Sequence, residues 1–231
     1  MSVCLTAWNV QPHGPIERVD DRLWRVDGFM ESGLQRVQTI VRLDDGRLIL
    51  HNAIALGEES MAEIDGWGEV AAILVPNGYH RQDCRIMQER YPKARVYAPA
   101  AAVKAVAKAT EVHGTYDDVP RDGNVRIAHL PGIGEREGML EVQGSSGLTV
   151  VFNDMLANVP KAPFFIDAML GPTGQVSVPR MMRWWWIRDS RAVKATYERL
   201  AGEKPSRAIP GHGADLVGDV AAQLAPALAL L

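Results

Sequence analysis

The apolar runs of this chain are short, and each stops at a cluster of proline, glycine, asparagine or aspartate. Ala72-Ile73-Leu74-Val75 breaks at Pro76-Asn77-Gly78, Val150-Val151-Phe152 at Asn153-Asp154, and Ala208-Ile209 at Pro210-Gly211. Runs of that size, bounded by turn residues, fit buried strands. Helical stretches lie between several of them, which predicts an α/β fold. In such folds the polar residues just past the strand ends gather on one edge, where chemistry is commonly placed.

The first part reads as strands at residues 22–26, 37–43 and 47–54. The last two are joined by "LDDGRL", whose glycine tolerates the positive φ of a hairpin turn. A short helix is predicted at 58–64, a strand at 70–75, a helix at 82–90, a strand at 95–97 and an alanine-rich helix at 100–110. The rhythm then repeats, with strands at 125–130, 139–142 and 148–152, the last two joined by "GSSG". A loop-rich stretch at 160–179 precedes a helix at 190–200 capped by Asp189 or Ser190. A short strand at 207–209 runs into "PGHGADL", and a final helix follows. No linker separates the halves. The order predicts one domain over residues 1–231, a four-layer αββα sandwich with two mixed sheets inside and helices outside.

With 25 basic and 28 acidic residues the net charge is −3, which gives no general attraction to nucleic acid or anionic membrane. Cys4 and Cys84 are too few for a disulfide framework or a four-thiolate zinc site. The N-terminal stretch lacks a basic start followed by an apolar run, and no stretch reaches the ~20 apolar residues that cross a bilayer. The expectation is a cytoplasmic protein whose partner is a small molecule, not nucleic acid or membrane.

Three polar loops follow predicted strands and carry His80, Asp154 and His212. If those strands lie side by side, their ends place three nitrogen and oxygen ligands around one metal. Bland alternatives stand beside this: Asp154 as a turn or cap residue, His212 as part of a tight strand-to-helix turn between two glycines. "LPGIGEREG" imitates a dinucleotide loop, but its spacing is wrong and a strand follows it. His129 falls in a strand as a packing residue, His51 lies in the third strand, and His13 and His113 sit in loops without partners. In "RMMRWWWIRDS", Trp184, Trp185 and Trp186 cannot all face one core in a strand or a helix. At least one is expected to be exposed or at a contact, with a homodimer interface as one use.

With these loops in hand, the chain resembles the metallo-β-lactamase fold superfamily, and a divergent group of it with a "PN..H" loop and a terminal "HG". The resemblance spans residues 22 to the final helix and rests on "RLDDGRLILHNAIAL", "ILVPNGYHRQDCRIMQERYPKARVYAP", "LPGIGEREGMLEVQGSSGLTVVFNDML" and "AIPGHG". The family's His-x-His-x-Asp-His loop, which binds two zinc ions, falls on Asn77, Tyr79, Arg81 and Gln82, none of them a usual zinc ligand. His80 lies one place out of register, and the histidine of the family's "PGH" turn corresponds to Ile133. Asp154 matches the bridging aspartate and His212 the last histidine. The resemblance therefore implies the fold without the dinuclear hydrolase, and no cofactor is expected unless His80, Asp154 and His212 hold zinc.

Three readings stay open. In the first, Asn77, Tyr79, His80, Arg81, Asp154 and His212 line a polar cleft used for binding or a non-hydrolytic reaction, with Arg81 paired to Asp154 where metal would sit. The second is a mononuclear metal-dependent hydrolase of an ester, thioester or lactone. The third is an interaction protein that uses the Trp184 to Trp186 surface.

Overall fold

Seven strands form one sheet in chain order: β1 (Glu17–Arg18), β2 (Leu23–Phe29), β3 (Gln35–Arg42), β4 (Leu48–His51), β5 (Val70–Leu74), β6 (Arg95–Ala98) and β7 (Gly114–Thr115). The computed structural model describes residues 4–29, 35–120 and 122–231, without the side chains of Ile166, Met169 and Leu170. Pairing is antiparallel from β1 to β4 and parallel from β4 to β7. The change falls where helix α1 (Glu58–Trp67) begins the crossovers that parallel strands require, continued by α2 (Cys84–Arg90) and α3 (Val103–Val106). The β3–β4 hairpin turns at Gly46, with φ 85°, as the Asp-Gly pair predicts.

The second sheet starts as an antiparallel meander, β8 (Val125–His129), β9 (Gly138–Gly144) and β10 (Gly147–Val151). After the short strand β11 (Ala157–Asn158) come helices α4 (Phe164–Leu170), α5 (Arg180–Trp185) and α6 (Ser190–Gly202). Strand β12 (Arg207–Ile209) then returns parallel to β10, and β13 (His212–Gly213) parallel to β11. Strand β14 (Leu216–Val217) closes this sheet, and α7 (Val220–Leu228) packs on it.

Strand alternation sorts the apolar side chains into layers. Val37, Val41, Ile49 and Leu74 meet Leu140, Val142, Val151 and Ile209 between the sheets. Ile40, Leu50 and Ile73 face the other way, onto Met61 and Ile64 of α1 and Ile86 and Met87 of α2. Val150 and Ala208 pack outward on Val193, Tyr197 and Leu200 of α6 and Leu224 of α7. The result is the αββα sandwich with two mixed sheets that the pattern predicts.

Three local expectations change. The helix expected at 100–110 is a 3-10 turn at Ala100–Ala102 followed by α3 alone. The amides of Ala109 and Thr110 both close on the Val106 carbonyl and end it, so tertiary context overrides alanine propensity. The stretch at 160–179 contains α4; Pro163, which reads as a breaker, sits just ahead of its first turn, where proline is tolerated. A strand, β14, intervenes before the last helix. Asp189 caps α6 by accepting from the Arg191 and Ala192 amides, and the tryptophans divide as helix geometry demands. Trp186 is buried in the outer core, while Trp184 and Trp185 are 72% and 64% exposed. No helix among the described residues is long and apolar enough to cross a membrane.

Candidate metal centre

His80, Asp154 and His212 come together at the strand ends, with one ligand atom from each inside 4.8 Å of the others. Each arrives by a different local device. The loop after β5 is folded by Asn77, whose Oδ1 accepts from the amides of Tyr79 (2.8 Å) and His80 (3.3 Å). That Asx-type turn swings His80 back over the sheet edge. Asn77 Nδ2 donates to Asp154 Oδ2 (2.9 Å) and to Glu137 Oε2 (3.2 Å).

Asp154 follows β10, and a buried carboxylate sets its direction. Glu137 accepts from the amides of Asn153, Asp154 and Met155 at 2.9–3.2 Å, which fixes the turn that carries Asp154. Burial and the Asp154 charge push the Glu137 carboxyl up to about 8, against the pull of those amides. Burial alone would raise Asp154 as well, but the His80 and His212 imidazoles outweigh it and hold Asp154 well below the usual carboxylate range.

His212 sits between two glycines for a steric reason. A Cβ on Gly211 would lie 2.7 Å from the Asn153 carbonyl carbon, and one on Gly213 would lie 2.0 Å from the Asn158 oxygen. Gly213 also has φ +91°. The β11–β13 pairing brings Gly213 against Asn158, and the Gly211 amide donates to the Asn153 carbonyl at 3.1 Å, which sets His212 beside the Asp154 turn.

The hydrogen bonds behind the rings decide their tautomers. His212 Nδ1 lies 2.6 Å from the Gln35 carbonyl oxygen, which can only accept. His80 Nδ1 lies 3.0 Å from Asn52 Oδ1. Asn52 Nδ2 donates to the Val37 carbonyl (2.9 Å), so the amide cannot be flipped and Oδ1 must face His80. Both Nδ1 atoms are therefore donors. In a neutral ring Nε2 then carries only a lone pair, and both Nε2 atoms face Asp154 Oδ1, at 2.9 and 3.1 Å. Acceptor against acceptor is repulsive unless positive charge lies between them. Protons supply it at low pH; burial opposes them at His212, but its bond to Asp154 lifts the ring above its ordinary value. A metal cation would supply it at higher pH, and two backed imidazoles with a carboxylate are a fitting donor set.

Two residues expected in the cleft lie elsewhere. Arg81 does not pair with Asp154: its guanidinium donates to the Ala105 carbonyl on the far flank of the loop, which removes its charge from the centre. Tyr79 is 54% exposed and stacks parallel to Trp186, with ring centroids 6.0 Å apart. The Asn77 turn leaves Asn77 and His80 on Asp154 while Tyr79 and Arg81 point away from it. Ile133 is buried in the outer core, away from the polar groups. Glu137 and Asn52 are contributors that sequence reading missed. Asn52 had one signal, an asparagine just past a strand, and it does adopt φ 53°.

No protein-family model matches the chain, and comparison with curated proteins found no match. Solved structures do match. The DIM-1 metallo-β-lactamase exposed to ceftazidime has a TM-score of 0.65 at 14% identity, covering 96% of this chain and 99% of that one. A metallo-β-lactamase from Pontibacter korlensis gives 0.63 at 10%, covering 94% and 99%. The chain has the metallo-β-lactamase fold. A second DIM-1 structure agrees, at 0.63 and 13%, covering 95% and 98%. Identities this low establish the metallo-β-lactamase fold and leave the chemistry to the residues present.

Behind the centre, His51 is wholly buried, its Nε2 has no partner among the described residues, and Nδ1 lies 3.4 Å from Thr39 Oγ1. Burial, aided by the neighbouring His80, depresses its pKa to about 3. A depressed histidine contributes stability that is present above its unfolded pKa of about 6.5 and is lost as pH falls toward the folded value. Stability is therefore expected to drop below pH 6.5, with His51 contributing up to about 1.4 kcal/mol per pH unit. Urea midpoints at pH 7 and 5 check this. The drop should be smaller in His51→Leu, and an equal drop in both proteins would contradict it.

Proposed function

We propose that this chain is a mononuclear metal-dependent hydrolase acting on an ester, thioester or lactone, with His80, Asp154 and His212 as its metal ligands. One observation carries the reading: two imidazoles locked with their Nε2 lone pairs on a single carboxylate oxygen. Zinc held by three protein ligands supplies Lewis acidity and makes hydroxide available near neutral pH. The chain's own residues keep the donor set rigid. Gln35 and Asn52 orient the rings, Glu137 orients Asp154, and Asn77 holds the second Asp154 oxygen. That last bond also supports one metal over two, because an amide N–H₂ occupies the side of Asp154 that a second cation would share with Glu137.

The test is elemental analysis of protein purified without a metal-affinity tag and dialysed against zinc, followed by an ester, thioester and lactone panel. About one zinc per chain and metal-dependent turnover are expected. Because two histidines and a carboxylate also suit iron(II), the analysis reads both metals. No metal after supplementation, or iron without hydrolysis, would overturn the proposal.

A further inference from the structure

The loop that carries His80 has a second flank. Gly78, Tyr79 and Arg81 line a groove of about 270 Å³, together with Trp186, Lys108, Arg136 and alanines that include Ala105. Three of the lining residues are cations, and none is acidic. In a chain of net charge −3, a carboxylate-free cluster of this kind is not a consequence of composition. Nor is its charge neutralised within the fold: among the described residues Arg81, Lys108 and Arg136 form no ion pair, and Arg81 donates only to the Ala105 carbonyl. Arg136 Nε is shut off from solvent and has no hydrogen-bond partner among the described residues. A buried guanidinium donor left unpaired is costly, and a site that receives a ligand acceptor removes that cost.

The rest of the groove suits a small ligand. Tyr79 and Trp186, stacked parallel with ring centroids 6.0 Å apart, both line it, and three alanines contribute small side chains. Its volume lies below the ~300–1,000 Å³ of pockets that take whole drug-sized molecules. That is room for one arm of a substrate. The groove and the centre share one loop: Gly78, Tyr79 and Arg81 line the groove, and His80 belongs to the centre.

We propose that this groove is an anion subsite, which receives the carboxylate or phosphate arm of the molecule hydrolysed at His80, Asp154 and His212. Arg136, half-buried and with its Nε unpaired among the described residues, is its anchor, and Arg81 and Lys108 flank it. The assignment rests on the hydrolase reading for the substrate, though not for the binding of the anion itself. It narrows the substrate class to esters, thioesters or lactones with an anionic substituent.

The experiment has two arms on the full-length, zinc-supplemented protein. In the first, glutarate and inorganic phosphate are titrated separately by calorimetry and by tryptophan fluorescence, and the tighter of the two identifies the arm. Saturable binding is expected, weakened at least 10-fold in Arg136→Gln and in the exposed-site variant Lys108→Gln. Lys104→Gln, which removes a charge from α3 outside the groove, should bind like the wild type. In the second arm, a nitrophenyl ester with a free carboxylate is compared with a neutral one of equal length. A preference in kcat/KM for the acid, arising in KM and lost in Arg136→Gln, is expected. Anion binding that survives both groove variants, or hydrolysis indifferent to charge, would overturn the subsite. Anion binding without any hydrolysis would keep the subsite and remove the hydrolase reading instead.

Discussion

Replacing Asp154 by asparagine is expected to lower bound zinc from about one equivalent to a small fraction, and hydrolysis by more than the 10–100-fold typical of second-shell changes. The reason lies in one atom. Asp154 Oδ1 is the oxygen that both Nε2 lone pairs address, and it needs a cation beside it. An asparagine can turn its oxygen to Asn77 Nδ2 and its amide to the two rings. It would then donate hydrogens to both Nε2 atoms, and the centre would be satisfied without positive charge. Asp154→Asn should therefore fold at least as stably as the metal-free wild type while binding no zinc. A second signature follows from His212. Its raised pKa contributes stability that is full below its unfolded value of about 6.5 and is lost as pH rises through the folded value. Without the aspartate charge, that loss above pH 6.5 should vanish from the urea midpoints. Zinc retained at one equivalent in Asp154→Asn would rule out the ligand set.

The grouping of His80, Asp154 and His212 was readable in the sequence because each is announced locally. His80, Asp154 and His212 all stand just past a short apolar run, beside residues that turn a chain. The layers were readable for a similar reason, since alternation along β3, β5 and β10 assigns each side chain to a face. The direction of Arg81 was not. It depends on Asn77 Oδ1 capturing two amides, and a shift of one place in a loop has no periodic signal. Glu137 was hidden in "GEREG", part of the stretch that imitates a dinucleotide loop. Its buried role appears only when the amides of residues 153–155, far along the chain, fold onto it.

The Asp83→Ala substitution is expected to cost about 3–5 kcal/mol, although Asp83 makes no hydrogen bond to His80, Asp154 or His212. Its carboxylate pairs with the Arg36 guanidinium, and both side chains are at most 5% exposed. Asp83 also accepts from the Ala55 amide at 3.2 Å. Removing the acid leaves a buried charge without a counter-ion, which is the expensive way to lose such a pair. At about 2–4 °C per kcal/mol for a chain of this size, the melting temperature should fall by roughly 6–20 °C. Replacing both members, as Arg36→Met with Asp83→Leu, should recover much of the loss, because the pair itself contributes little beyond an apolar substitute. Recovery should stay incomplete while the Ala55 amide lacks its acceptor. The pair also ties the centre together, since Arg36 follows Gln35, whose carbonyl orients His212, and Asp83 ends the loop that carries His80. Zinc affinity in the double variant should therefore fall by about 10-fold, within the range for lost second-shell support, even with stability recovered. Urea midpoints and zinc titrations on the three proteins separate the effects. An Asp83→Ala cost below about 1 kcal/mol, ordinary for a surface change, would mean the buried pair does not anchor this edge of the sheet.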